Sequence, residues 1–179
     1  EEGLRNNESY YDWTYNVDEH YSVITDGTWV YCKSDDVLTS DSINKKGERE
    51  TIDIAETFKN RIKTKGYCLL KYIGTDREVI VPDTINGKPV VAALNTFRSN
   101  QIVKKVILPS TMQGLRRTFY SCYHLDSITF APGTNLVYEL DAIMCGNNTE
   151  ATTVYCSHTI AEYIKGHYRL GCPVTFVEK

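Results

Sequence analysis

Five short stretches of the chain share one pattern of apolar positions: Val79-Ile80-Val81, Val106-Ile107-Leu108, Ile128-Thr129-Phe130, Val154-Tyr155-Cys156 and Val174-Thr175-Phe176. The first and third residues of each are apolar, as in a strand with one buried face, because successive strand side chains point to opposite sides. The pattern predicts an inward column of Val79, Val106, Ile128, Val154 and Val174, and an outward column of Ile80, Ile107, Thr129, Tyr155 and Thr175. The segments begin 27, 22, 26 and 20 positions apart, the interval of stacked-repeat architectures. Proline follows within two residues in three units, at Pro82, Pro109 and Pro132, and ends each strand because it has no N–H for the next rung.

A second element recurs between the strands: Asn95-Thr96-Phe97-Arg98-Ser99-Asn100, Arg117-Thr118-Phe119-Tyr120-Ser121-Cys122 and Asp141-Ala142-Ile143-Met144-Cys145-Gly146. Phe97, Phe119 and Ile143 are expected to plug the interior opposite the strand of their own unit, since a repeat buries its apolar face only against its neighbours. Val103 and Leu125, three residues before the following strand, repeat that role.

Together, "VPDTINGKPVVAALNTF" and "KVILPSTMQGLRRTFYSCYHLDSITFAPGT" resemble the BspA-like leucine-rich repeat family, over about residues 67–179. The match is closest from Val79 to Gly133. Beyond it Ile143 stands for the usual Phe, Gly146 for the usual Cys, and the last two strands lack the proline, as in a terminal capping repeat. The resemblance implies a right-handed solenoid of the α/β repeat type, with one parallel strand per repeat. It also implies a secreted or cell-surface bacterial protein used for adhesion, and it carries over no catalytic residue.

Residues 1–65 differ in composition, with seven aromatics in the first 31: Tyr10, Tyr11, Trp13, Tyr15, Tyr21, Trp29 and Tyr31. Tyr21–Ile24 and Thr28–Cys32, separated by Asp26-Gly27, read as a hairpin with a tight turn. Lys33 to Arg49 reads as a polar loop. Asp53 with Glu56, then Ile54, Phe58 and Ile62 at i, i+4 and i+8 before Gly66, predict an amphipathic helix over 53–65 with a glycine stop. Hairpin and helix are expected to cover the open N-terminal end of the solenoid over 66–179, and Tyr67–Ile73 to enter it as a strand.

Charge and chemistry narrow the function. A formal net charge of −3, with basic pairs scattered at Lys45-Lys46, Lys104-Lys105 and Arg116-Arg117, offers no footprint for nucleic acid. No apolar run reaches the roughly 18 residues of a membrane span. The opening Glu1-Glu2-Gly3, without Met or an apolar leader, looks like a segment whose targeting sequence has been removed.

His20, His124, His158 and His167 show no zinc spacing, so no metal and no cofactor is expected. Cys122 and His124 read as a packed thiol beside a loop histidine, and Cys156 as a buried, inert thiol. Most of the six cysteines read as free. Cys122 and Cys145, at near-equivalent places on neighbouring rungs, are the one candidate disulfide pair. The carboxylate pairs Asp35-Asp36 and Glu48/Glu50 read as solvated, and no phosphate-cradling or serine-hydrolase motif is present.

A non-enzymatic binding module is therefore expected, its partner an extracellular or host-surface protein held on Ile80, Ile107, Thr129, Tyr155 and Thr175. The alternative is polysaccharide stacked on aromatic faces such as Trp13 and Trp29.

Overall fold

The structure, a computed structural model, describes residues 23–37, 39–43, 46, 49–138, 142–145, 151–167, 169–170 and 173–179. It is mostly β, with stacked parallel strands that form a solenoid of about four turns, and two helices. Each complete turn contributes strands to more than one sheet, where the family resemblance implied one parallel strand per repeat.

The chain enters through a hairpin, β1 (Ile24–Thr25) and β2 (Trp29–Lys33). Gly27 takes φ +88 in its turn, and the Asp26 Oδ1 accepts from the backbone N–H groups of Thr28 and Trp29 at 2.9 and 2.8 Å. This is the predicted hairpin, although Tyr21 and Ser22 lie outside the described residues. The expected polar loop after Lys33 is instead a 3-10 turn (Ser34–Asp36) and a second hairpin, β3 (Thr39–Ile43) with β4 (Arg49–Asp53). Its strands lack the apolar alternation by which the others are recognised.

The first helix, α1, spans Ala55–Arg61, shorter than the predicted 53–65. Asp53 Oδ1 accepts from Ala55 N at 2.9 Å, and Ile54, Phe58 and Ile62 are buried. Gly66 is not its stop. A Cβ there would lie 2.1 Å from the Pro89 carbonyl oxygen, so glycine is required where β5 (Tyr67–Tyr72) passes the next rung.

Beyond β5 come β6 (Glu78–Ile80), β7 (Thr84–Ile85), β8 (Lys88–Leu94), β9 (Lys105–Leu108), β10 (Gly114–Arg116), β11 (Phe119–Tyr120), β12 (Ser127–Phe130), β13 (Ala142–Cys145), β14 (Thr152–Cys156), α2 (His158–His167), β15 (Arg169–Leu170) and β16 (Val174–Glu178). One sheet runs β1-β2-β5-β8-β10, with the hairpin antiparallel to β5 and the rest parallel. The hairpin thus closes the outer edge of β5.

Its strands β5, β8 and β10 are buried on both faces along most of their length. Phe58 of α1 and Ile62 just after it lie on the sheet beside Gly114 and Tyr138, the Phe58 and Tyr138 ring centroids being 5.4 Å apart. Two-sided burial explains why β8 contains the unbroken apolar run Val90-Val91-Ala92-Ala93-Leu94 and lacks alternation. A short parallel sheet, β11-β13-β15, continues the turns.

The repeat is also visible in the backbone. Asn95 and Arg117 take φ +54 and +47, and Ser99 and Ser121 both take φ +58, so each pair marks the same left-handed corner one turn apart. Beside these corners Thr96 Oγ1 donates to Leu69 O at 2.9 Å and Thr118 Oγ1 to Ala93 O at 2.8 Å. A buried hydroxyl thereby satisfies a carbonyl of the preceding rung. Phe97 and Phe119 are buried plugs, as predicted, and so are Val103 and Leu125. At the next rung the register sets Met144, not Ile143, opposite Phe119.

Helix α2 was not anticipated, although Ile160, Ala161 and Ile164 are its buried face and Ser157 Oγ accepts from Ile160 N at 3.2 Å. Among the described residues, no helix is long and apolar enough to cross a membrane.

Candidate functional site

The five predicted strands form one parallel sheet, in the order β6-β9-β12-β14-β16. Val79, Val106, Ile128 and Val154 pair in sequence along it, each nine-tenths or more buried. The fifth member of the column is Phe176, because Val174 pairs with Thr152 two residues earlier. The last strand has slid by two positions. Period two is preserved by such a shift, so the inward and outward assignments survive it while the column partners change.

The outward face consequently has two columns. One is Ile80, Ile107, Thr129, Tyr155 and Val177. Thr175, expected in this column, lies in the other, after Glu78, Lys105, Ser127 and Thr153. Ile80 is 73% exposed and Ile107 43%, two branched apolar side chains on adjacent rungs. Glu78 and Lys105 form an ion pair of 3.3 Å beside them. A concavity of about 250 Å³ runs between the columns, lined by Glu78, Ile80, Lys105, Ile107, Ser127 and Thr129. At the far end the Lys179 ammonium stands 4.7 Å from the Tyr155 ring centroid, within cation–π range. The face can hold an extended apolar and hydroxylated surface, with charge at both ends.

The aromatic alternative loses one of its two residues. Trp29 is 5% exposed, its ring tilted 4.9 Å from Tyr72 and edge-on 5.9 Å from Phe97, so it packs among core rings and offers no open face to a sugar. An aromatic in a small β layer is needed for the core before it is free for a ligand. Trp13, like His20, lies outside the described residues.

The Cys122 Sγ donates to Phe97 O at 2.7 Å; His124 is exposed. That thiol is tied to the rung below. Cys156 is buried and free, its thiol pushed up by burial and secondarily by the Glu178 carboxylate, and is therefore unreactive. Asp35 pairs with Lys65 at 3.6 Å in the open. The side chains of Cys145 and Glu50, and all of Glu48 and Cys172, fall outside the described residues.

Sequence spacing did not anticipate one constellation. His158 and Glu162, one turn apart on α2, meet Glu178 of β16, with one ligand-type atom from each within 4.8 Å of the others. All three are exposed. His158 Nδ1 lies 3.0 Å from Glu178 and Glu162 3.3 Å from Lys165, which is the arrangement of surface ion pairs. The i, i+4 spacing would have shown the first two had α2 been recognised.

No family model, no curated protein and no solved structure matches this chain.

Proposed function

We propose that the chain is a non-enzymatic binding module of the BspA-like leucine-rich repeat kind, exported and displayed at a bacterial surface, and that it holds a host or microbial protein on the outward face of its five-stranded sheet. The observation that supports this reading best is the pairing of Ile80 with Ile107. Two exposed β-branched residues at the same register place apolar area where the core has no use for it. Side chains in the outward columns can vary without disturbing the column beneath, which suits a recognition surface. The Glu78–Lys105 pair and the Lys179–Tyr155 contact supply the polar rim on which orientation depends.

The test is a binding screen of the purified chain against immobilised extracellular matrix and bacterial surface proteins, repeated with the double variant Ile80→Ala/Ile107→Ala. A bound partner is expected to lose at least about ten-fold in affinity, roughly 1.4 kcal/mol, with the melting temperature changed by less than about 2 °C. Unchanged affinity for the double variant refutes the face as the site.

A further inference from the structure

Cys32 on β2 and Cys68 on β5 are direct partners across an antiparallel pair. Both are fully buried and both are free thiols, with the Cys68 Sγ donating to Leu69 O at 3.8 Å. Directly opposed residues in such a pair have Cα atoms about 4.5 or 5.5 Å apart, inside the roughly 4.4–6.8 Å over which a disulfide closes without moving the backbone.

We propose that Cys32 and Cys68 are a disulfide site, the bond fastening the N-terminal hairpin to the first strand of the solenoid when the chain folds in an oxidising medium. The oxidant is a small disulfide such as oxidised glutathione. The thiolate of one cysteine attacks it, releasing one glutathione thiolate and forming a mixed disulfide. The second cysteine's sulfur then displaces the second glutathione thiolate. The Cys32–Cys68 bond forms, two protons leave the cysteines, and the glutathione disulfide is reduced to two thiols.

Timing follows from burial. Once β2 is docked, the Cys68 thiol is held well above its ordinary pKa, chiefly by burial and then by Cys32, and no oxidant reaches it. The bond therefore closes as the hairpin docks, not afterwards.

The full chain is unfolded in denaturant with reductant, then refolded in a glutathione redox buffer or in reductant, and each product is digested with trypsin without reduction. After oxidative refolding, Gly66–Lys71 should be recovered joined to the peptide ending at Lys33. The intact mass should be about 2 Da lower per bond, and the melting temperature roughly 5 to 10 °C higher than that of the reduced protein. Cys32→Ser should leave Cys68 alkylatable in both buffers; if that variant does not fold, the map of the unsubstituted chain decides. Recovery of Cys32 and Cys68 as separately alkylated peptides, or of Cys68 joined to a different cysteine, overturns the proposal. A joined product that melts no higher than the reduced protein overturns the fastening role.

Discussion

Phe97 and Phe119, 22 positions apart in the chain, lie face to face with ring centroids 5.6 Å apart and planes 5° from parallel. Tyr72, tilted at 5.5 Å from Phe97, and Trp29, edge-on to Phe97 at 5.9 Å, extend the pair into a cluster of rings that joins the entry hairpin to the following rungs. Parallel rungs keep equivalent residues about 4.8 Å apart, and flat rings are the side chains that fill that spacing on successive turns.

Phe97 touches rings on both sides, so Phe97→Ala should cost about 3–5 kcal/mol and alter the Trp29 environment. Urea unfolding followed by tryptophan fluorescence checks both effects; a loss below about 1 kcal/mol would mean that the rings contribute no more than surface contacts.

Gly66→Ala brings a methyl group to within 2.1 Å of the Pro89 backbone oxygen, and backbone yields little. Destabilisation of about 1–3 kcal/mol or more is expected. Gly87→Ala is a different case: the space is open, and only φ +77 opposes it, at about 1 kcal/mol. Thermal melting of the two variants side by side distinguishes close approach from backbone strain.

The corner hydroxyls should be worth less than the rings. Thr118→Val keeps the shape of the side chain but removes the 2.8 Å bond to Ala93 O, a buried hydrogen bond whose loss costs about 1–2 kcal/mol. Thr96→Val should cost the same within error, since it fills the same place one turn earlier. A large difference between the two would show that the rungs are not equivalent.

Alkali should unfold the protein more readily than acid chemistry at the same groups can protect it. Cys68, Cys156, Tyr72 and Tyr138 all have folded-state pKa values raised, chiefly by burial. Groups raised in this way contribute stability that is complete below their unfolded pKa and is lost as pH climbs through the folded value. Unfolded thiols and phenols titrate near 8.5 and 10. Melting temperature should therefore be insensitive to these groups at neutral pH and fall from about pH 9 upward, as a pH series of thermal melts will show; a flat profile between pH 8 and 11 contradicts it.

Most of the outward sheet was legible because period two is a local property: Val79, Val106, Ile128 and Val154 declare themselves in three-residue windows. The partner of each was less so. Thr175 and Val177 fit an outward place equally well by alternation, and only the pairing of Thr152 with Val174 decides between them.

Strands β8 and β10 escaped notice for the opposite reason. With helix α1 on one side and the solenoid core on the other, they have no polar face to mark a period. Trp29 was ambiguous in the sequence because stacking on a sugar and packing edge-on against Phe97 call for the same side chain. Helix α2 left an i, i+4 trace in Ile160 and Ile164 that the strand pattern on either side overshadowed.

Burial along the inward column is not uniform. Val106 and Ile128 are sealed, whereas Phe176 on the last rung is only half-buried, with the Lys165 ammonium 5.1 Å from its ring. In an array where each turn is supported only by its neighbours, opening should therefore start at β16 and run backward like a loosened zip. Amide deuterium uptake should then be fastest near Phe176 and slowest around Ile128 and Val106, giving the molecule a built-in direction of unfolding.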